Sequence, residues 1–180
     1  MNCPICRTVT LSRSESPDQL KFFECKTCKG RWLQSYQYWK WKDKQGKDLP
    51  EKSVVDAVNL AVNDSENAKL CPECGHILIR FPVGHGIEFT LDHCGNCGGI
   101  WLDENEWEVL KNRNLHTEVH KIFSAVWQTG VRAEAHEKFL ENFYLHKFGK
   151  EDYKKIEEIK DWMERHPFKN ELYAYLLEPE

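Results

Sequence analysis

The sequence predicts an α+β chain: two small modules, each a β-hairpin plus a helix stapled by a metal, followed by a helical C-terminal region. Three observations predict this. All eight cysteines fall into four CxxC pairs, and the pairs fall into two copies of one unit. Apolar and polar residues alternate with the two-residue period of a strand inside the second copy. Beyond the second copy, apolar side chains recur at three- and four-residue steps, the period of a helix.

The first copy runs from Cys3-Pro-Ile-Cys6 through eighteen residues to Cys25-Lys-Thr-Cys28. The second runs from Cys71-Pro-Glu-Cys74 through nineteen residues to Cys94-Gly-Asn-Cys97. Gly30, Trp32 and Leu33 recur as Gly99, Trp101 and Leu102. This is zinc-ribbon spacing, C-x2-C-x15–20-C-x2-C. A CxxC turn presents two thiolates to one ion, and a second turn brought up by a hairpin completes a tetrahedral shell. Cys3, Cys6, Cys25 and Cys28 are expected on one Zn²⁺ and Cys71, Cys74, Cys94 and Cys97 on another, two ions per chain. The repeat favours this sequential pairing over a cross-braced one, while spacing alone leaves iron open as an alternative. A four-sulfur shell has no free position, so the metal is expected to hold the fold and do no chemistry. The chain opens Met-Asn-Cys without an apolar leader, so free thiols in the cytoplasm are expected rather than disulfides. His76, His85 and His93 lie nearby, but with four cysteines in place they read as hairpin surface.

The second copy resembles the TFIIB-type zinc-ribbon family, the transcription-factor zinc-finger domains. The residues that carry the resemblance are Cys71-Pro-Glu-Cys74-Gly75, Leu78, Gly86, Cys94-Gly-Asn-Cys97-Gly98-Gly99-Ile100-Trp101-Leu102-Asp103 and Glu106. It covers roughly residues 69–110 and, in weaker form, 1–42. In the first copy Arg7 stands where the family has glycine, and Gln34 stands where it has an acid. The resemblance implies a zinc-binding module and no single activity.

Taken in order, the first loop is polar from Ser12 to Gln19 and leads into a strand at Leu20-Lys-Phe-Phe-Glu. A helix is expected after each ribbon. Residues 49–68 form a linker in which Val54, Val55, Val58 and Val62 suggest a short helix. In the second ribbon, His76 to Pro82 and Gly86 to Leu91 read as strands around a Pro-Val-Gly-His-Gly turn. Asp103 with Glu106 has the pattern of a capping box, Asp103 as N-cap and Trp107, Val109 and Leu110 as the apolar face. Trp32 and Trp101 are each expected beside their own metal knuckle. Three further helices are expected: 132–148, stopping at Gly149; one carrying Tyr153, Ile156, Ile159, Trp162 and Met163, bounded by Pro167; and Lys169 to Leu177. The domain reading is therefore ribbon 1 with a basic aromatic extension (1–48), linker (49–68), ribbon 2 (69–113) and helical C-terminal region (114–180).

Charge is uneven along the 180 residues. Residues 1–70 carry 12 basic and 9 acidic side chains, 71–110 carry 1 and 7, and 111–180 carry 12 and 13, for a net of −4. Four thiolates around Zn²⁺ add a net −2 at each site, so the second ribbon is a poor match for a phosphate backbone. The first is the candidate nucleic-acid surface: Lys29, Arg31, Tyr36, Trp39, Lys40, Trp41, Lys42 and Lys44 interleave cations with rings that can stack on unpaired bases. The competing reading is a helix whose rings pack inward and whose lysines are solvated. His116 and His120 are four apart but lack the glutamate of a metalloprotease motif. No apolar run is long enough to span a membrane, and no residue is nominated as nucleophile or base. The expectation is a non-enzymatic, cytoplasmic adaptor or protein-interaction module. Nucleic-acid binding through ribbon 1, or a thiol redox or zinc-responsive switch, are the alternatives.

Overall fold

The computed structural model describes residues 1–46, 50–52, 60–65 and 67–177. Of the valines expected to form a linker helix, Val54, Val55 and Val58 lie outside these residues, and Val62 packs partly buried against the core in non-helical chain. Two compact units are present, 1–132 and 133–180.

In the first unit each ribbon supplies three antiparallel strands. Ribbon 1 gives β1 (Ser12–Glu15), β2 (Lys21–Glu24) and β3 (Arg31–Leu33), followed by α1 (Ser35–Lys42). Ribbon 2 gives β4 (Ile79–Gly84), β5 (Ile87–His93) and β6 (Ile100–Leu102), followed by α2 (Glu106–Asn112). The two sheets merge into one, ordered β1-β2-β3-β6-β5-β4. The merging seam is antiparallel, Arg31 opposite Leu102, Trp32 opposite Trp101 and Leu33 opposite Ile100. Because Trp32 and Trp101 are equivalent positions of the repeat, the seam places the ribbons about a local twofold through this pair. The two expected ribbon modules are thus present, and they share one sheet.

The pleat sends alternate side chains to two cores. One face gathers Trp32, Trp101, Leu11, Leu78 and the buried cysteines Cys3, Cys25, Cys71 and Cys94. The other gathers Leu20, Phe22, Leu33, Leu91, Ile100 and Leu102 with Tyr38 and Trp41 of α1 and Trp107 and Leu110 of α2. Leu115, Val119 and Ile122 join this second core, the last two from α3 (Val119–Ile122). The first unit accordingly runs on past the second ribbon to residue 132. The edge strands are guarded: β1 is polar, and β4 carries Pro82 and a register shift between Pro82 and Gly84. His85 and Gly86 turn β4 into β5 with φ of 55° and 76°, both left-handed as a two-residue hairpin turn of this kind requires.

The capping box forms by half. Glu106 reaches back to the Asp103 backbone N–H at 2.8 Å, but α2 starts at Glu106 behind Asn105, and no side chain caps it. The Asp103 carboxylate is taken by other donors. The second unit holds the expected helices: the C-terminal part of α4 (Ala125–Phe148), α5 (Lys150–Glu164) and α6 (Lys169–Leu177). Helix α4 begins seven residues earlier than the sequence pattern suggested (Ala125 against 132) and ends at Gly149, where φ is 77°.

Candidate metal centres

Each ribbon presents its four cysteines on two knuckles of the same build. In ribbon 1, Cys3 N–H donates to the Val9 carbonyl at 2.8 Å and Arg7 N–H to the Cys3 carbonyl at 2.8 Å. In ribbon 2, Cys71 N–H donates to the His76 carbonyl at 2.7 Å and Gly75 N–H to the Cys71 carbonyl at 2.9 Å. The second knuckles match as closely: Cys25 to Gly30 and Cys94 to Gly99 are both 2.9 Å. Every knuckle ends on a left-handed residue, Arg7, Lys29, Gly75 and Gly98, with φ between 58° and 77°.

The sulfurs converge as the sequential pairing requires. Cys3 and Cys28 Sγ lie 3.5 Å apart and Cys6 and Cys25 Sγ 3.8 Å apart. Cys71 and Cys97 are at 3.6 Å, and Cys74 and Cys94 at 3.4 Å. A tetrahedron of Zn–S bonds of about 2.3 Å has edges of roughly 3.8 Å, so each cluster fits one Zn²⁺. Backbone N–H groups point at the sulfurs, Cys6 N to Cys3 Sγ at 3.3 Å and Cys74 N to Cys71 Sγ at 3.4 Å. Burial pushes the Cys3 thiol up to about 11 and Cys28 and Cys97 above their ordinary value. At Cys25 burial is outweighed by N–H donors from Cys28 and Thr27, and the thiol falls to about 7. So many sulfurs in one place ionise together only around a cation.

Residues 2–44 and 70–113 each match the family described as transcription factor zinc-finger. These are two tandem TFIIB-type zinc ribbons. Comparison with curated proteins and with solved structures returned no match. With a four-cysteine cluster in each matched ribbon, the chain holds sites for two Zn²⁺. The nearby histidines have other roles: His85 pairs with Glu51 at 2.7 Å and stacks on Trp127, and His93 stacks on Phe123.

The ribbons close on each other through their tryptophans. A Cβ added at Gly30 would lie 2.2 Å from Trp101 Cζ2, and one added at Gly99 would lie 2.1 Å from Trp32 Cζ2. Each indole therefore covers the glycine of the other ribbon's knuckle, which corrects the expectation that each serves its own. Trp32 Nε1–H donates to Glu73 in the first knuckle of ribbon 2 at 3.2 Å, and Trp101 Nε1–H donates to Asp103 at 2.6 Å.

A buried ionic network that the sequence did not disclose lies beside ribbon 2. Lys69, with its side chain wholly buried, contacts Asp92 at 2.6 Å and Asp103 at 3.2 Å. Asp103 also accepts from Ser65 N–H, and Asp64 accepts from Thr90 and a two-point Arg80 contact at 2.9 and 3.0 Å. Asp64, Asp103 and Glu106 cluster as cation ligands do, but Lys69 and Arg80 already supply the positive charge. Burial, with Asp103 next in effect, holds the Glu106 carboxyl well above the usual carboxylate range. A lysine two residues before a knuckle and acids scattered far apart along the chain carry no local signal.

The basic aromatic segment is divided by the fold. Trp41 is buried against Trp107, with its indole N–H on the Asp18 carbonyl at 2.9 Å. Arg31 pairs with Glu24 at 3.0 Å and Glu108 at 3.3 Å, and Lys42 donates to the Thr117 carbonyl. Lys29, Tyr36, Trp39, Lys40 and Lys44 keep much of their surface in solvent. His116 and His120 do not share a helix: His120 meets Tyr38 and Trp39, and His116 meets Trp41 and Trp107.

Proposed function

We propose that the chain is a non-catalytic protein-interaction module whose contact surface is shaped by its two zinc sites. The observation that carries this reading is the fusion of two closed four-sulfur centres into one sheet, which gives a rigid platform with no open coordination position. Exposed Tyr36 and Trp39 on α1 supply the kind of ring that anchors protein contacts. Among the described residues, no helix is long and apolar enough to cross a membrane. Affinity capture with the zinc-loaded chain and with a Tyr36→Ala, Trp39→Ala variant tests the reading. The variant is expected to retain two zinc ions and lose its partners. Unchanged capture would move the contact elsewhere.

One observation favours nucleic acid as a second reading. Two adjoining cavities of about 390 and 410 Å³ between β1, β2 and α1 are lined by Arg13, Lys21, Lys40, Lys44 and Tyr36, although Glu15 and Asp18 also line them. Retention on single-stranded nucleic acid that weakens with salt, and is lost on changing Lys21, Lys40 and Lys44 to glutamate, would support it. Lys42 is left out because its ammonium is spent on the Thr117 carbonyl.

A further inference from the structure

The two units differ in what they bury. Among the described residues after 132, Met163 is the single fully buried apolar side chain. Twelve large apolar side chains between Phe139 and Leu177 are exposed, among them Phe139 at 64 %, Trp162 at 57 % and Leu177 at 80 %. Those on α4 and α5 fall in rows. On α4, Phe139 stacks on Phe143 with ring centroids 6.3 Å apart, and Tyr144 stacks on Phe148 at 5.5 Å, one continuous aromatic stripe. On α5, Ile156 and Ile159 stand exposed along the amphipathic face that also carries Met163.

We infer that residues 133–177 are a self-association element, pairing with the same helices of a second copy of this chain. Three arguments select that occupant. At roughly 150–250 Å² for each large ring, half-exposed side chains in this number leave on the order of 1,000 Å² of apolar surface in solvent. A stable interface takes about 800 Å² from each partner, so the exposed apolar area is enough for one such contact. The charges exclude other surfaces: residues 133–177 carry 8 basic and 10 acidic side chains, too balanced for a phosphate backbone or an anionic lipid face. The same balance leaves little net charge to hold two copies apart. Finally, a helical unit this small rarely supplies its own core, and oligomerisation is one of the usual remedies. Phe139, Phe143, Ile159 and Trp162 provide the missing core when a twofold brings identical stripes together.

Light scattering on the purified, zinc-loaded full chain tests this. A mass twice the 21.3 kDa of one chain is expected at micromolar concentration. Changing Phe143 and Trp162 to lysine is expected to return it to one chain with helix content and two zinc ions retained. Because those variants could unfold the helices, hydrogen exchange on the unaltered chain at two concentrations provides an independent reading. Dilution should deprotect residues 139–177 and leave the ribbons unchanged. A single-chain mass for the unaltered protein overturns the inference, including where the stripe is protected because it lies on its own ribbons. So does a dimer that survives both lysine substitutions with its helices folded, or one that falls apart on zinc removal while residues 139–177 stay protected.

Discussion

Four residues close the metal knuckles in the left-handed region, and the two ribbons fill those places differently. Ribbon 2 uses Gly75 and Gly98, whereas ribbon 1 uses Arg7 at φ 59° and Lys29 at φ 58°. A residue with a Cβ gives up about 1–2 kcal/mol in that conformation, and glycine gives back part of it through its freer unfolded chain. Lys29→Gly is therefore expected to stabilise the zinc-loaded chain by about 1 kcal/mol, seen as a raised Tm with zinc content unchanged. A lowered Tm would show that the lysine side chain supplies more than its backbone costs. Glu106 sets a pH dependence at the same scale. Its folded pKa is raised by burial and by Asp103, Asp64 and Asp92. Its contribution is thus complete below the unfolded carboxylate value and lost as pH rises through the folded one. That contribution, which runs against the gain that thiolate-bound zinc brings as pH rises, should fall above about pH 4.3, and Glu106→Gln, which keeps an acceptor for the Asp103 N–H, should make the pH slope of stability more positive. An unaltered slope in the variant would assign it to another group.

At the scale of elements, the seam between β3 and β6 decides the architecture. Its strands are three residues long, too short for alternation to announce them. What holds them is the reciprocal fit of Trp32 on Gly99 and Trp101 on Gly30. Gly99→Ala should force the Trp32 indole away and destabilise the chain by about 3 kcal/mol, the upper range for overpacking. Combining it with Trp32→Leu should recover part of that loss, because the two changes share one contact. Additive losses in thermal unfolding would argue against the contact. The metal ligands, the β4–β5 hairpin and the C-terminal helices were legible, because spacing, period two and period 3.6 are local signals. The recurrence of Gly and Trp in both copies was also visible, but a repeat within one chain does not say whether each tryptophan serves its own glycine or its twin's. The missing half of the capping box has a related reason: Asp103 carries the expected residue type, yet Lys69, Ser65 and Trp101 compete for its carboxylate. Lys69 and Ser65 lie too far off in sequence to weigh against a local cap.

For the whole molecule, the shared sheet makes zinc loading a joint property of the ribbons. A structural zinc site of this type contributes roughly 10–16 kcal/mol, comparable with the whole stability of a domain this size. If the ribbons were independent, losing one site would unfold one ribbon. Here Cys25 and Cys94 lie in one buried cluster with both tryptophans, and the described ends of the connecting segment are fastened to ribbon 2. Arg113 binds Glu51 at 2.6 Å, and Asp64 binds Arg80. Removing either centre exposes the indole that covers the other. Cys25→Ser and Cys94→Ser should therefore have similar effects: elemental analysis should find fewer than one zinc per chain at equal free metal, and hydrogen exchange should show lost protection across residues 1–132. A Cys25→Ser chain that keeps one full equivalent of zinc, with β4, β5 and α2 still protected, would show that the seam is a contact between two domains rather than the middle of one.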